Sequence, residues 1–260
     1  MTFFQDQKSM NINFAQLEIA GETNIGTIRH HNEDNFVIYS PPGGEAVLAA
    51  VADGIGGHSR GEVASHICCS ELLRSARKTD SRKWDQNFLL TTLLKANDHI
   101  FTLNYKNKRV KPMGCTVAAV IFFRDHIIYA SAGDSRIYEF LPDREKFPLL
   151  QLTTDHRPEN FRRLHEDPCF KNLSLIARSL GTAKYLEIDI TERPRPDNAK
   201  YLICSDGLYN QISDKMLAGV LEGKSSIRSK TGELIKQTLL AGEKDNITII
   251  CAGTAEKKVF

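Results

Sequence analysis

The sequence predicts an α+β fold in which antiparallel β-sheets carry helices on their outer faces. Three observations carry that expectation. Apolar, strand-like segments recur at 36–40, 46–52, 115–123, 126–132, 136–141, 147–153, 186–193, 200–205 and 246–252, many of them joined by short turns. Helical periodicity falls instead at 60–77, 84–105, 213–221 and 227–241. The elements come in blocks, with strands first, then helices, a run of strands, and strands and helices again. Strict β-α-β alternation is absent, which argues against a doubly wound parallel sheet.

The first two strand segments precede the helix at 60–77, where Ala64, Ile67, Cys68 and Leu72 mark an apolar stripe at helical spacing. Residues 117–123, VAAVIFF, are continuously apolar, as expected of a strand buried on both faces. Residues 126–132 alternate, placing Ile127, Tyr129 and Ser131 opposite Ile128 and Ala130. Residues 155–180 are charged, proline-bearing and weakly periodic, and read as a partly helical flap. Ser213 stands where it would cap the helix that follows.

Composition bounds the function. A chain of 260 residues with 41% hydrophobic and 25% charged residues has the make-up of an ordinary globular protein with a substantial core. The net charge of +2 gives no global field pointing to nucleic acid or a membrane surface. No apolar run reaches the roughly eighteen residues of a spanning helix. The opening MTFFQDQKSMNINF has no charged-then-apolar leader pattern, so a cytoplasmic location is expected. Six cysteines, at 68, 69, 115, 169, 204 and 251, form no C-x-x-C pair, and four lie in apolar runs. They read as small core hydrophobes and not as a disulfide framework. Asn172 and Asn246 each open a glycosylation-type triplet, which carries little weight without a leader.

The chemistry lies in acidic residues at strand ends. Asp34 precedes the 36–40 strand, Asp53-Gly54 ends the VLAAVA strand, Asp134 ends IIYASAG, Asp206-Gly207 ends YLICS, and Asp245-Asn246 begins NITIIC. Any one of them suits an ordinary turn. Together, on strand ends that converge at one rim, such carboxylates would repel one another unless cations lay between them. Hard oxygen donors select Mg²⁺ or Mn²⁺ over zinc. That set fits hydrolysis by a metal-activated water.

The motifs Arg29-x-x-x-Glu33-Asp34, Val51-Ala-Asp53-Gly54-Ile-Gly56-Gly57, Met113-Gly-Cys-Thr116, Ala132-Gly-Asp134-Ser-Arg136, Leu152-Thr-Thr-Asp155-His156, Ser205-Asp206-Gly207-Leu208 and Asp245-Asn246 occur in that order. In register, they resemble the type 2C metal-dependent protein serine/threonine phosphatases in their compact bacterial form. The resemblance runs from about 20 to 253 and implies a single catalytic domain over 1–260, with the flap at about 155–180. It implies two stacked antiparallel sheets flanked on both sides by helix pairs. It also implies two tightly bound Mn²⁺ or Mg²⁺ ions and a third, weaker one. Asp53 would bridge the first two, the Gly54 carbonyl would be a further ligand, and Asp206 and Asp245 would complete the first metal. Asp134, with Asp206, would take the third. Glu33 and Asp34 would hold metal-bound waters, and Arg29 would clamp the substrate phosphate with its guanidinium fork.

The implied reaction is hydrolysis of phosphoserine and phosphothreonine on proteins, by a metal-bridging water or hydroxide attacking phosphorus directly without a phosphoenzyme. The implied partners are phosphoprotein substrates, including a serine/threonine kinase, met by a monomer that binds neither nucleic acid nor membrane. The chain departs from the pattern in two places. Some family members carry histidine after the Asp-Gly of the second motif, where this chain has Ile55. Leaving-group protonation then needs another donor, such as a metal-bound water, because His58 reads as a loop or helix-start residue. The flap is also short for the family. A silent phosphoprotein-sensing domain of the same fold is the alternative, and it would lack one or more of the metal aspartates. All are present.

Three other motifs are decoys. Cys68-(x)5-Arg74 has the spacing of a cysteine phosphatase, but CSELL continues a helix where that chemistry needs an amide cradle. Ala218-Gly-Val-Leu-Glu-Gly223-Lys224-Ser225 resembles a nucleotide-hydrolase loop, yet it reads as a helix end, a turn at Gly223 and a new helix. Gly54-Ile-Gly56-Gly57-His-Ser59 misses the third glycine of a dinucleotide fingerprint, and Arg162-Arg163 reads as a solvated face.

Overall fold

The computed structural model describes residues 9–14, 17–56, 60–106, 112–157 and 178–254. In chain order the elements begin with β1 (Ser9–Phe14), β2 (Leu17–Asn24), β3 (Asp34–Tyr39), β4 (Val47–Ile55), α1 (Arg60–Lys78) and α2 (Gln86–Lys106). The strands β5 (Gly114–Cys115), β6 (Val117–Phe122), β7 (His126–Ala132), β8 (Arg136–Phe140), β9 (Leu149–Gln151), β10 (Asp189–Pro194) and β11 (Lys200–Cys204) follow. The chain then forms α3 (Asp206–Tyr209), α4 (Asp214–Glu222), α5 (Ile227–Leu240) and β12 (Ile247–Thr254).

Every described strand pairing is antiparallel. One sheet runs β1-β2-β12-β11-β8-β9 and the other β10-β7-β6-β4-β3, with β5 pairing the end of β4. Side-chain alternation builds four layers. On β4, Val47, Ala49 and Val51 point into the core between the sheets, while Leu48, Ala50 and Ala52 point to α1 and α2. On β6, Ala118, Val120 and Phe122 face the other sheet, and Val117, Ala119 and Ile121 face the helices. The period-two reading of 126–132 holds, with Ile127 and Tyr129 against the inter-sheet core and Ile128 and Ala130 on the helix side. The other sheet buries Leu202, Cys204, Ile249 and Cys251 against Leu208, Leu217, Leu221 and Leu234 of α3, α4 and α5. The order is therefore helices, sheet, sheet, helices, as expected.

The N-terminal hairpin is a correction. The sequence pattern gives no strand before residue 36, yet β2 pairs with β12 from Leu17 to Asn24 and buries Leu17 and Ile19. Its alternate positions carry glutamates that look like surface residues, but Glu18 accepts hydrogen bonds from the Ile227 and Arg228 amides and so caps α5. Boundaries shift as well. Asp34 is the first residue of β3, Asp53 and Gly54 lie within β4 and not at its end, and Asp206 opens α3. The 147–153 segment shrinks to Leu149–Gln151. Most of the flap, with Arg162 and Arg163, lies outside the described residues, as do His58, Cys169 and Asn172.

Two of the decoys resolve as expected. Cys68 is fully buried in α1. Ser213 caps α4 by accepting from the Met216 amide, and Gly223 ends it before Ser226 caps α5. Among the described residues no helix is long and apolar enough to cross a membrane.

Candidate functional site

β3 and β4 enter the rim side by side, and their register sets Asp34 directly opposite Asp53. Facing positions on adjacent strands put their Cβ atoms about 5 Å apart. Each is fixed by a hydroxyl. Ser205 Oγ donates to Asp34 Oδ2 at 2.7 Å and accepts from the Thr248 amide at 3.0 Å. Thr116 Oγ1 accepts from the Asp53 amide at 3.1 Å, and the Thr116 amide donates to the Asp53 carbonyl at 2.8 Å. Beyond Asp53 the chain needs a glycine, because a Cβ on Gly54 would overlap the Gly61 and Glu33 carbonyls. Glu33 is held from both ends, with its carbonyl accepting from the Gly54 amide at 3.1 Å and its Oε1 from the Gly61 amide at 3.2 Å.

The loop that carries Arg29 is tied down by Asn246. The Asn246 amide group donates to the carbonyls of Ile25 and His31, and its Oδ1 accepts from the Glu33 amide. Arg29 itself is half exposed and donates to Asp245 Oδ2 at 2.7 Å. Asp206, next to Ser205, starts α3 and accepts from Asn210 at 3.1 Å. Gly207 lets that helix lie against the Asn246 carbonyl, where a Cβ would collide.

Asp134 completes the rim from the turn after β7. Gly133 takes φ +109, open to glycine at little cost, and a Cβ there would lie 2.6 Å from the Thr116 side chain. The Asp134 carboxylate is 4% exposed as a residue and meets Arg157 at 2.8 Å. Tyr209 Oη, from α3, donates to the Asp134 carbonyl at 2.9 Å. Arg136 forks onto Asp155 at 2.9 and 2.7 Å and lies 3.6 Å over the Tyr209 ring, which ties two of the sequence motifs into one structural pair.

Burial and charge repulsion both act on these carboxylates. Burial, then repulsion from Asp34, Asp206, Asp134 and Asp245, holds the Asp53 carboxyl well above the usual range. Asp34 is pushed up to about 7 by burial, partly offset by its hydroxyl donors, with Asp206 and Asp245 adding repulsion. Asp206 is pushed up to about 6 by burial and by Asp134 and Asp245. Burial also raises Glu33. Asp34 and Asp53 thus face each other across β3 and β4, Asp206, Asp134 and Asp245 act on Asp53 through their charge, and Arg29 pairs with Asp245. As the side chains stand, no three His, Cys, Asp or Glu groups among the described residues are close enough to hold an ion, and Arg29 and Arg157 lie against Asp245 and Asp134. The donor set nevertheless fits hard divalent cations, since it is all oxygen, largely withdrawn from solvent and self-repelling.

Comparison with known proteins decides the family. The profile of the protein phosphatase 2C family matches residues 28–238. This chain belongs to that family. It is 33% identical over 241 residues to a putative protein phosphatase 2C-type of Streptococcus pyogenes, covering 90% of this chain and 96% of the relative. It is 29% identical over 237 residues to the serine/threonine phosphatase stp of Listeria monocytogenes, covering 88% and 92%. The crystal structure of the Mycobacterium tuberculosis serine/threonine phosphatase PstP/Ppp superposes with a TM-score of 0.75 at 28% identity, covering 92% of this chain and 99% of that one. A PstP catalytic domain in complex with 2 manganese ions gives 0.76 at 27% identity, with the same coverage.

As a phosphatase 2C family member the chain has positioning groups that sequence reasoning did not assign. Thr116, His156 and Asn246 stood inside quoted motifs without a role. Ser205 and Tyr209 lie beside Asp206 and are visible only once Asp34 and Asp134 are brought to them. Arg157 follows a quoted motif by one residue, and nothing in the sequence marks it.

Proposed function

We propose that this chain removes phosphate from phosphoserine and phosphothreonine side chains of proteins at the acidic rim, with Mn²⁺ or Mg²⁺ as cofactor. The observation that carries this reading is the pair Asp34 and Asp53, facing each other across β3 and β4, with Asp206 in the same field, all three carboxyls raised by burial first and by repulsion from neighbouring aspartates second. Divalent cations relieve that cost, and a PstP relative holds 2 manganese ions. Asp53, the Gly54 carbonyl, Asp206 and Asp245 would hold the tight pair, and Asp134 with Asp206 a weaker third ion. When bound, the ions supply an activated water and neutralise phosphate charge.

The chain's own residues do the rest. Arg29 is exposed and reaches the rim from the Asn246-anchored loop, so its guanidinium fork can leave Asp245 for two phosphate oxygens. Ser205 and the Thr116 amide and hydroxyl hold Asp34 and Asp53 in place, so little reorganisation is needed when substrate arrives. Glu33 and Asp34 would orient water at the rim. Ile55 offers no proton beyond Asp53-Gly54, so leaving-group protonation needs another donor, which water held at the rim would supply.

A phosphoamino acid must be made by a kinase, so a serine/threonine kinase belongs to the same proposal as partner and as substrate. So does action as a monomer in the cytoplasm. The test is phosphate release from phosphoserine, phosphothreonine and phosphotyrosine peptides in Mn²⁺. Preference for the first two supports the reading, and turnover of none of them overturns it.

A further inference from the structure

Asp189, the first residue of β10, is 51% exposed at its side chain and belongs to none of the motifs above. Its carboxylate nevertheless holds two parts of the chain at once. Oδ2 lies 3.0 Å from His156 Nε2, and Oδ1 lies 3.0 Å from Arg178 Nη1. His156 and Arg178 stand on either side of residues 158–177.

The two contacts differ in weight. Arg178 pairs with the exposed carboxylates of Glu187 and Asp189, and ion pairs with solvent-exposed partners are worth at most about 1 kcal/mol. His156 is different because its side chain is fully buried. Its Nδ1 accepts from the Gly133 amide at 3.1 Å, which assigns the neutral ring's proton to Nε2 and makes Asp189 the acceptor. The His156 amide in turn donates to the Gly133 carbonyl at 2.9 Å. Loss of the Asp189 carboxylate would leave a buried ring donor without that acceptor. The relay ends on Gly133, whose turn presents Asp134 to the rim and packs on Thr116, the residue that holds Asp53.

We propose that Asp189 is a positioning residue for the active site, fixing Asp134 through His156 and Gly133 while bringing Arg178 to the same carboxylate. The inference rests on the phosphatase reading for its kinetic consequence and on geometry alone for its structural one. Groups that hold a metal-binding carboxylate directly are worth about 10-fold to 100-fold, and Asp189, one hydrogen-bonded residue further out, falls at the low end, about 10-fold.

The experiment compares wild type, Asp189→Ala, Asp134→Ala and the double variant. The readouts are kcat and KM on a phosphothreonine peptide in Mn²⁺, and hydrogen exchange of the Gly133 amide in chelator. Asp189→Ala should lower kcat about 10-fold with little change in KM, and should speed Gly133 exchange. In the Asp134→Ala background it should cost nothing further in kcat, because both changes act through one carboxylate. Asp189→Asn, which keeps one acceptor oxygen, should fall between wild type and Asp189→Ala, and it carries the comparison if the alanine variant fails to fold. Unchanged kcat and unchanged Gly133 exchange would overturn the proposal, as would an additive loss in the double variant. Absence of turnover in wild type would sink the phosphatase reading instead, and Gly133 exchange would still decide the role of Asp189.

Discussion

Replacing Asp206 by Asn should make the cation-free protein more stable while destroying its activity. The Asp206 carboxyl is pushed from 3.8 to about 6 in the folded chain, by burial first and then by Asp134 and Asp245. About two pKa units correspond to at most about 3 kcal/mol, and sharing among coupled neighbours brings this to about 2. The sign follows from proton linkage. A raised carboxyl favours folding while it stays protonated, so its contribution is present below about pH 4 and lost as pH rises through about 6. An amide cannot ionise, and its oxygen can still accept the Asn210 hydrogen bond. In chelator at pH 7.5, Asp206→Asn should therefore melt about 4–8 °C above wild type. The gap should close below about pH 4. Saturating Mn²⁺ should reverse the order, since ligand at about 100 times its Kd stabilises wild type by about 2.7 kcal/mol and the variant by less. Differential scanning fluorimetry across pH, with and without Mn²⁺, reads all of this. A variant less stable than wild type in chelator, or a gap indifferent to pH, would refute the picture of an Asp206 carboxylate strained by burial and by its acidic neighbours.

Three further outcomes follow from the same geometry. Cys68→Ser should leave turnover within about 2-fold of wild type, because the thiol is buried in α1 away from any amide cradle; strong loss would move the chemistry to that cysteine. Asp134→Ala should lose much more kcat on a phosphoprotein than on p-nitrophenyl phosphate, whose leaving group needs little protonation, and should retain two bound ions by calorimetry; equal losses on both substrates would reject a role in leaving-group protonation. Asn246→Ala should free the Ile25 and His31 carbonyls and the Glu33 amide, destabilise by about 1–3 kcal/mol and raise KM for phosphopeptide through Arg29; an unchanged KM would detach Arg29 from phosphate binding.

The layered core was legible where the side-chain period was unambiguous. VAAVIFF reads as a strand buried on both faces because each face of β6 meets a different core, and the 126–132 alternation survives because both faces of β7 are apolar. The N-terminal hairpin was not legible, because Glu18 and Glu22 occupy strand positions and the burial of Leu17 and Ile19 depends on pairing with β12 at the far end of the chain. The rim acids could be named because aspartate at a strand end is conspicuous in sequence. Their supports could not. Ser205, Tyr209, Arg157 and Asp189 act across separations of 23 to 171 residues, through contacts that exist only after the two sheets have stacked. A serine before Asp-Gly or an aspartate at the start of an edge strand has many ordinary explanations, and only the partner reveals which one applies.

The aspartates around Asp53 work by holding divalent cations. Phosphate release from a phosphothreonine peptide by the purified chain, titrated with Mn²⁺ and then with excess chelator, tests it most directly. Turnover should rise with Mn²⁺ to saturation, vanish in chelator, return on adding Mn²⁺ back, and be lost in Asp53→Asn at every Mn²⁺ concentration. Full turnover in excess chelator, or in Asp53→Asn, would contradict it.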